Sequence, residues 1–189
     1  MKQFIKTAIP LVVSFFIFSC GDSNSNGDKT NANTKDTASQ ANHEEMGMDK
    51  TASSGVTVKD DKLNAVYQHY VHLTTALVNG DSSEAKLASN AIEAGAKEVE
   101  GGAAIASIAA KITGAADIES QRVAFSTLSN NFIALVKKSG LKSGELYVDF
   151  CPMAMEDKGA YWLSASKEIK NPYFGEKMLT CGEIKETIK

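Results

Sequence analysis

Cysteine is scarce, with three in 189 residues, and none stands in a C-x-x-C pair. That spacing marks a dithiol redox centre, so its absence speaks against a redox protein built on Cys151 and Cys181. Catalytic patterns are missing too. There is no H-E-x-x-H, no Ser–His–Asp logic, no nucleotide-binding loop and no convincing carboxylate pair. An enzyme reading has no residues to rest on, and the chain is expected not to be an enzyme. The 20 Lys and Arg are outnumbered by 23 Asp and Glu. That balance argues against nucleic acid as partner, because phosphate neutralisation needs clustered cations. No internal repeat is present. One stretch alone, Ala8 to Phe18, is an almost unbroken apolar run, and it is too short for a comfortable membrane span.

That run follows a basic start, Lys2 and Lys6, which is the layout of an export signal. Ile17-Phe18-Ser19-Cys20 reads as a lipobox, with Cys20 lipidated as the mature N-terminus and the protein held at a membrane in the periplasm or at the cell surface. Phe18 is bulkier than the small residue usual at that spot, and an ordinary signal cut nearby is the alternative. Removal of Lys2 and Lys6 leaves 18 basic against 23 acidic residues, a formal charge of −5. Residues 21–57 are rich in Asn, Ser, Thr, Asp and Lys without apolar periodicity, so they read as a disordered polar tether. A coil of about 35 residues averages roughly 30–35 Å end to end. His43, Met46 and Met48 form a soft-ligand island inside it, or a chance pairing in low-complexity sequence.

Residues 58–189 form the expected folded part. Asp60 or Asp61 caps a first helix with the stripe Leu63, Val66, Tyr67, Tyr70, Thr74 and Leu77, ended by Asn79-Gly80. Asp81-Ser82-Ser83-Glu84 is a capping signal for a second helix, to about Glu100, whose stripe is small: Ala85, Ala88, Ala91, Ile92, Gly95 and Val99. A short third helix carries Ile105, Ile108 and Ile112 and stops at Gly114. Asp117 caps the longest helix, with Ile118, Phe125, Leu128, Phe132, Leu135 and Val136, closed by Ser139-Gly140. The fold class this predicts is all-α: an antiparallel bundle of about four helices with an irregular C-terminal lobe. Within that lobe, Tyr147–Phe150 alternates like a short strand, and a short terminal helix is allowed for.

The chemistry sits in that lobe. Cys151-Pro152-Met153-Ala154-Met155 and Met178-Leu179-Thr180-Cys181-Gly182 place two thiols and three thioethers in two short patches. Soft sulfur ligands select Cu(I) and similar ions. An export signal places the patches where a disulfide is also permitted. Two uses therefore stay open. Cys151 and Cys181 can bond, closing a loop of about 30 residues worth roughly 3–4 kcal/mol in the chain-entropy model. Alternatively they serve as thiolates beside Met153 and Met178, with Met155 ranked lower. His69 and His72, one turn apart on the first helix and off its core stripe, are minor candidate ligands or solvated side chains. Trp162, Tyr173 and Phe174 read as ordinary packing that also walls a site from water.

Leu146-Tyr147, Cys151-Pro152-Met153-Ala154, Lys158-Gly159-Ala160-Tyr161-Trp162-Leu163-Ser164, Glu168-Ile169-Lys170-Asn171-Pro172-Tyr173-Phe174-Gly175 and Lys177-Met178-Leu179-Thr180-Cys181-Gly182 form a series. It resembles a domain of unknown function found in lipoproteins of Gram-negative bacteria and appended to periplasmic adaptor subunits of copper/silver efflux pumps. The likeness runs from about Leu63 to Ile188. His69-Tyr70-Val71-His72 and Gln121-Arg122 also match family positions, whereas Ser120 and Ala124 stand where the family often has histidine. The resemblance implies copper-linked periplasmic duty. Together the readings lead to an expected lipid-anchored binder of Cu(I) or Ag(I) that buffers the ion or passes it to an efflux adaptor protein. A disulfide-stapled helical interaction module without metal is the alternative.

Overall fold

The computed structural model describes residues 55–189. All of these lie in the second of two units, Met46–Lys189. The signal segment, Cys20, the island at His43, Met46 and Met48, and most of the tether fall outside the described residues. The elements run β1 (Thr57–Val58), α1 (Asp61–Asn79), α2 (Ser82–Ala96), α3 (Ala103–Gly114), α4 (Ile118–Ser139), β2 (Leu141–Ser143), β3 (Leu146–Cys151), β4 (Ala160–Ser164) and β5 (Glu183–Ile188). No helix among the described residues is long and apolar enough to cross a membrane.

Three aspartates start three of the four helices. Asp60 accepts from the Leu63 amide, Asp81 from those of Ser83 and Glu84, and Asp117 from that of Ser120. Each bond satisfies a donor that the first turn leaves without an intrahelical partner. At the other end of α1, Gly80 adopts a left-handed φ of 72° and returns its N–H to the last turn. The α1 stripe buries Leu63, Val66, Tyr67, Tyr70 and Leu77, with Leu73 rather than Thr74 completing it. Helix α2 ends at Ala96, short of the expected Glu100. Residues 97–102 instead make tight turns, closed by the Gly102 amide on Val99 O at 2.9 Å. Each helix packs on the next in chain order. Small residues on α2 (Ala85, Ala88) let its neighbours come close.

The C-terminal part corrects the all-α expectation. The protein is helix-rich but carries two small antiparallel sheets: β1 with β2, and a three-stranded sheet in the order β4-β3-β5. The lobe is therefore not irregular, and the end of the chain is a strand rather than a short helix. Sheet formation follows from β3, whose two edges take β4 with Tyr147 opposite Ser164 and Cys151 opposite Ala160, and β5 with Leu146 opposite Ile188. The free edge of β4 is not left open. Leu163 N–H donates to Tyr70 Oη at 3.0 Å, and the Tyr173 hydroxyl donates to Tyr161 O. Two tyrosines thus cap backbone groups that would otherwise template another strand. Tyr70 also contacts Ser129 Oγ at 2.6 Å and stacks on Phe132 at 4.6 Å, which ties the sheet edge to α1 and α4 together.

Candidate functional site

Residues 165–182 connect β4 to β5 and form a strap beside Trp162. Arg122, on α4, fixes its middle. The guanidinium is buried and donates from Nε to Pro172 O at 2.9 Å, from one terminal nitrogen to Leu77 O at 2.8 Å, and from the other to Glu119 Oε1 at 2.9 Å. Three bonds from one planar fork join the end of α1, the first turn of α4 and the strap, which an ammonium cannot reproduce. Gly175 lies directly against this clamp, at a φ of 56°. A Cβ there would come 2.6 Å from Val78 O and 2.8 Å from an Arg122 nitrogen. Only glycine fits both the conformation and the space. Asn171 orders the rest of the strap, donating to Cys181 O at 2.7 Å and accepting from the Tyr173 amide at 2.8 Å.

The clamp sets one wall of an open cleft of about 660 Å³. Met153 and Met155 line it from the segment after β3, and Met178 from the strap. Val123 and Phe174 add apolar surface, while Glu119, Glu156 and Asp157 supply carboxylates around it. Met153 is 48% exposed and Val123 59%, so the cleft is reachable from solvent. Met155 is presented by an unusual backbone. Met155, Glu156 and Asp157 have φ of 56°, 56° and 63°, three successive left-handed residues with no glycine among them. Left-handed backbone costs L-residues roughly 1–2 kcal/mol each and concentrates at functional sites. Met155, ranked below the other two on sequence, lies beside them here.

The cysteines form a second, separate feature. Cys151 and Cys181 face one another as thiols with Sγ atoms 2.8 Å apart; Cys151 is buried and Cys181 half-buried. Two thiolates on one tetrahedral ion with bonds of about 2.3 Å would sit about 3.8 Å apart. The observed contact is tighter than that. The Cys181 thiol is pushed up to about 11, first by its contact with Cys151 and then by burial. At neutral pH it is a protonated thiol, so a metal ion would bind it only with release of that proton. Neither cysteine lines the methionine cleft.

The histidines lie elsewhere. His72 is exposed on α1 and pairs with Glu84 of α2, Nε2 to Oε2 at 2.8 Å, while His69 is half-buried one turn earlier. Neither lines the cleft. Among the described residues, no group of three or more His, Cys, Asp or Glu could hold a metal ion. The structure thus brings Met153 and Met178 together with Met155 around one cleft, brings Cys151 to Cys181, and places neither His69 nor His72 in that cleft.

Two residues that sequence reasoning did not single out for chemistry matter here. Arg122 entered only as a family match, since nothing in a helical stripe marks a buried arginine. Asp149 lay within an expected strand. It is fully buried in β3, and neither carboxylate oxygen has a hydrogen-bond partner. Burial pushes its carboxyl up to about 7.

Residues 66–144 match the model of a family described as protein of unknown function (DUF3347). The matched stretch holds the helices and Arg122, and ends before the cysteine and methionine patches. No curated protein and no solved structure matches the chain.

Proposed function

We propose that this is a non-enzymatic, lipid-anchored extracytoplasmic protein that takes a soft monovalent cation, Cu(I) or Ag(I), in the methionine cleft. The observation that carries this reading is the convergence of Met153, Met155 and Met178, from two segments, on one open cleft. Thioethers are soft ligands, need no deprotonation and are poor partners for zinc. Of the carboxylates around the cleft, Glu119 is paired with Arg122 and Glu156 with Lys158, which leaves Asp157 to favour a cation. The cysteine pair serves as a staple in an oxidising compartment, which leaves the ligand role to the thioethers. The anchor on Cys20 and delivery of the ion to a copper/silver efflux adaptor protein follow from the export signal and from the sequence resemblance.

A competitive Cu(I) titration against a chelator tests this, using the chain with Cys20→Ala in its disulfide form. One equivalent is expected to bind, and Met153→Leu with Met178→Leu should weaken binding at least tenfold. Equal affinity of the double variant and the parent would overturn the reading. The alternative of a stapled helical interaction module without metal draws on the same cleft, because exposed Val123 beside Phe174 offers an apolar dock. Unchanged, weak copper binding in both proteins would favour it.

A further inference from the structure

The two cysteines adjoin the cleft-lining methionines in sequence without lining the cleft themselves. Met153 follows Cys151 by two residues, and Met178 precedes Cys181 by three. The cleft is lined from both segments, and the sulfurs that join them are 2.8 Å apart. The strap is held differently along its length. Its middle hangs on Arg122 through Pro172 O, and on Tyr161 O through the Tyr173 hydroxyl. Beyond Gly175, the turn that carries Met178 is held by bonds within the strap: Asn171 N–H to Leu179 O, Asn171 Nδ2 to Cys181 O, and Cys181 N–H to Met178 O. The sulfur pair links this end of the strap directly to the segment that bears Met153. The same segment carries the left-handed run at Met155, Glu156 and Asp157, a strained conformation that can relax when the sulfur link is released.

We propose that Cys151 and Cys181 are a thiol–disulfide latch that sets the geometry of the methionine cleft, holding its two methionine-bearing segments together when bonded and releasing them when reduced. The inference rests on the cation reading of that cleft for its consequence, but not for its chemistry. Closure uses an exogenous disulfide as oxidant. Cys181, the more accessible thiol, loses its proton to solvent and attacks one sulfur of that disulfide, whose S–S bond breaks with loss of the first thiolate. Cys151 then loses its proton and displaces the second thiolate from the mixed disulfide, forming the Cys151–Cys181 bond. Two electrons and two protons leave the pair, and the oxidant ends as two thiols. An exogenous dithiol reverses the sequence.

Two measurements separate the latch from the cation site. The first compares Ag(I) affinity of the disulfide form with that of Cys151→Ala/Cys181→Ala, both in the full chain with Cys20→Ala. Neither protein has a thiol, so any difference comes from the bond. The latch predicts at least tenfold tighter binding by the disulfide form, and affinities within twofold overturn it. Should neither protein bind Ag(I), the cation reading fails and the second measurement decides the latch alone. That measurement follows the methyl resonances of Met153, Met155 and Met178 in wild-type chain cycled between dithiol and disulfide without metal. All three should shift on bond formation, with methionine methyls outside the cleft unmoved. Cleft resonances that do not respond to the redox state overturn the latch whatever the metal result.

Discussion

Asp149 carries a cost that its neighbours do not offset. It shares a face of β3 with Tyr147 and Cys151, lies opposite Trp162 and Ile184, and finds no donor for either oxygen. A buried carboxyl without partners is held in its neutral form, which burial achieves by pushing it up to about 7. The unfolded chain ionises the same group near the usual carboxylate value. Between roughly pH 4 and pH 7 the native state therefore binds a proton that the unfolded state has released, and stability falls as pH rises through that window before levelling off. Asp149→Asn keeps the shape and removes the titration. Its denaturant midpoint should match wild type near pH 4 and exceed it clearly at pH 8. Parallel pH profiles for the two proteins would remove Asp149 from the account. Sequence gave no warning of this residue. An Asp between Val148 and Phe150 looks like the solvent side of a half-buried strand, whereas the fold buries that side, with Trp162 opposite Asp149 and Cys151 on the same face also buried. The methionines, by contrast, were legible singly from softness and spacing, while their separation from the cysteines required the fold.

At the scale of elements, the helices were readable because three of the four begin at a capping aspartate and three end at a glycine or the residue beside one, with apolar positions at helical spacing between. The sheet was readable only at β3. Strand β4 presents Tyr161-Trp162-Leu163, a run in which Trp162 and Leu163 are both buried, so period-two alternation is lost. Strand β5 is mostly exposed and charged, as suits an edge, and owes its extended form to the open side of β3 rather than to its own composition. Between these elements Arg122 is the joint. It bonds Leu77 O at the end of α1, which also accepts the Gly80 N–H at 3.3 Å, and the strap at Pro172. Arg122→Leu should cost about 3 kcal/mol in urea unfolding, from the charged hydrogen bonds lost to two carbonyls and a carboxylate. Arg122→Lys should recover less than half of that, because one ammonium cannot serve three directions. The same change should loosen the wall that carries Phe174 and Met178. A lysine variant as stable as wild type would show that the fork geometry is unimportant.

At the scale of the molecule, a small helical bundle supports a sheet and strap whose open end gathers three thioethers. The bundle side of the chain is what the family model matches, at residues 66–144, and the cleft lies largely beyond it. The scaffold and the chemistry thus occupy different stretches of sequence, joined by Arg122 and by the tyrosine-capped edge of β4. The central claim is that thioethers, rather than thiolates or imidazoles, hold the ion. X-ray absorption at the copper edge of the Cu(I)-loaded disulfide form, with Cys20 replaced by alanine, tests it most directly. The account predicts a first shell dominated by sulfur that persists when His69 and His72 are both replaced by glutamine and is lost in Met153→Leu/Met178→Leu. A nitrogen-dominated shell, or a sulfur shell indifferent to the methionine substitutions, would contradict it.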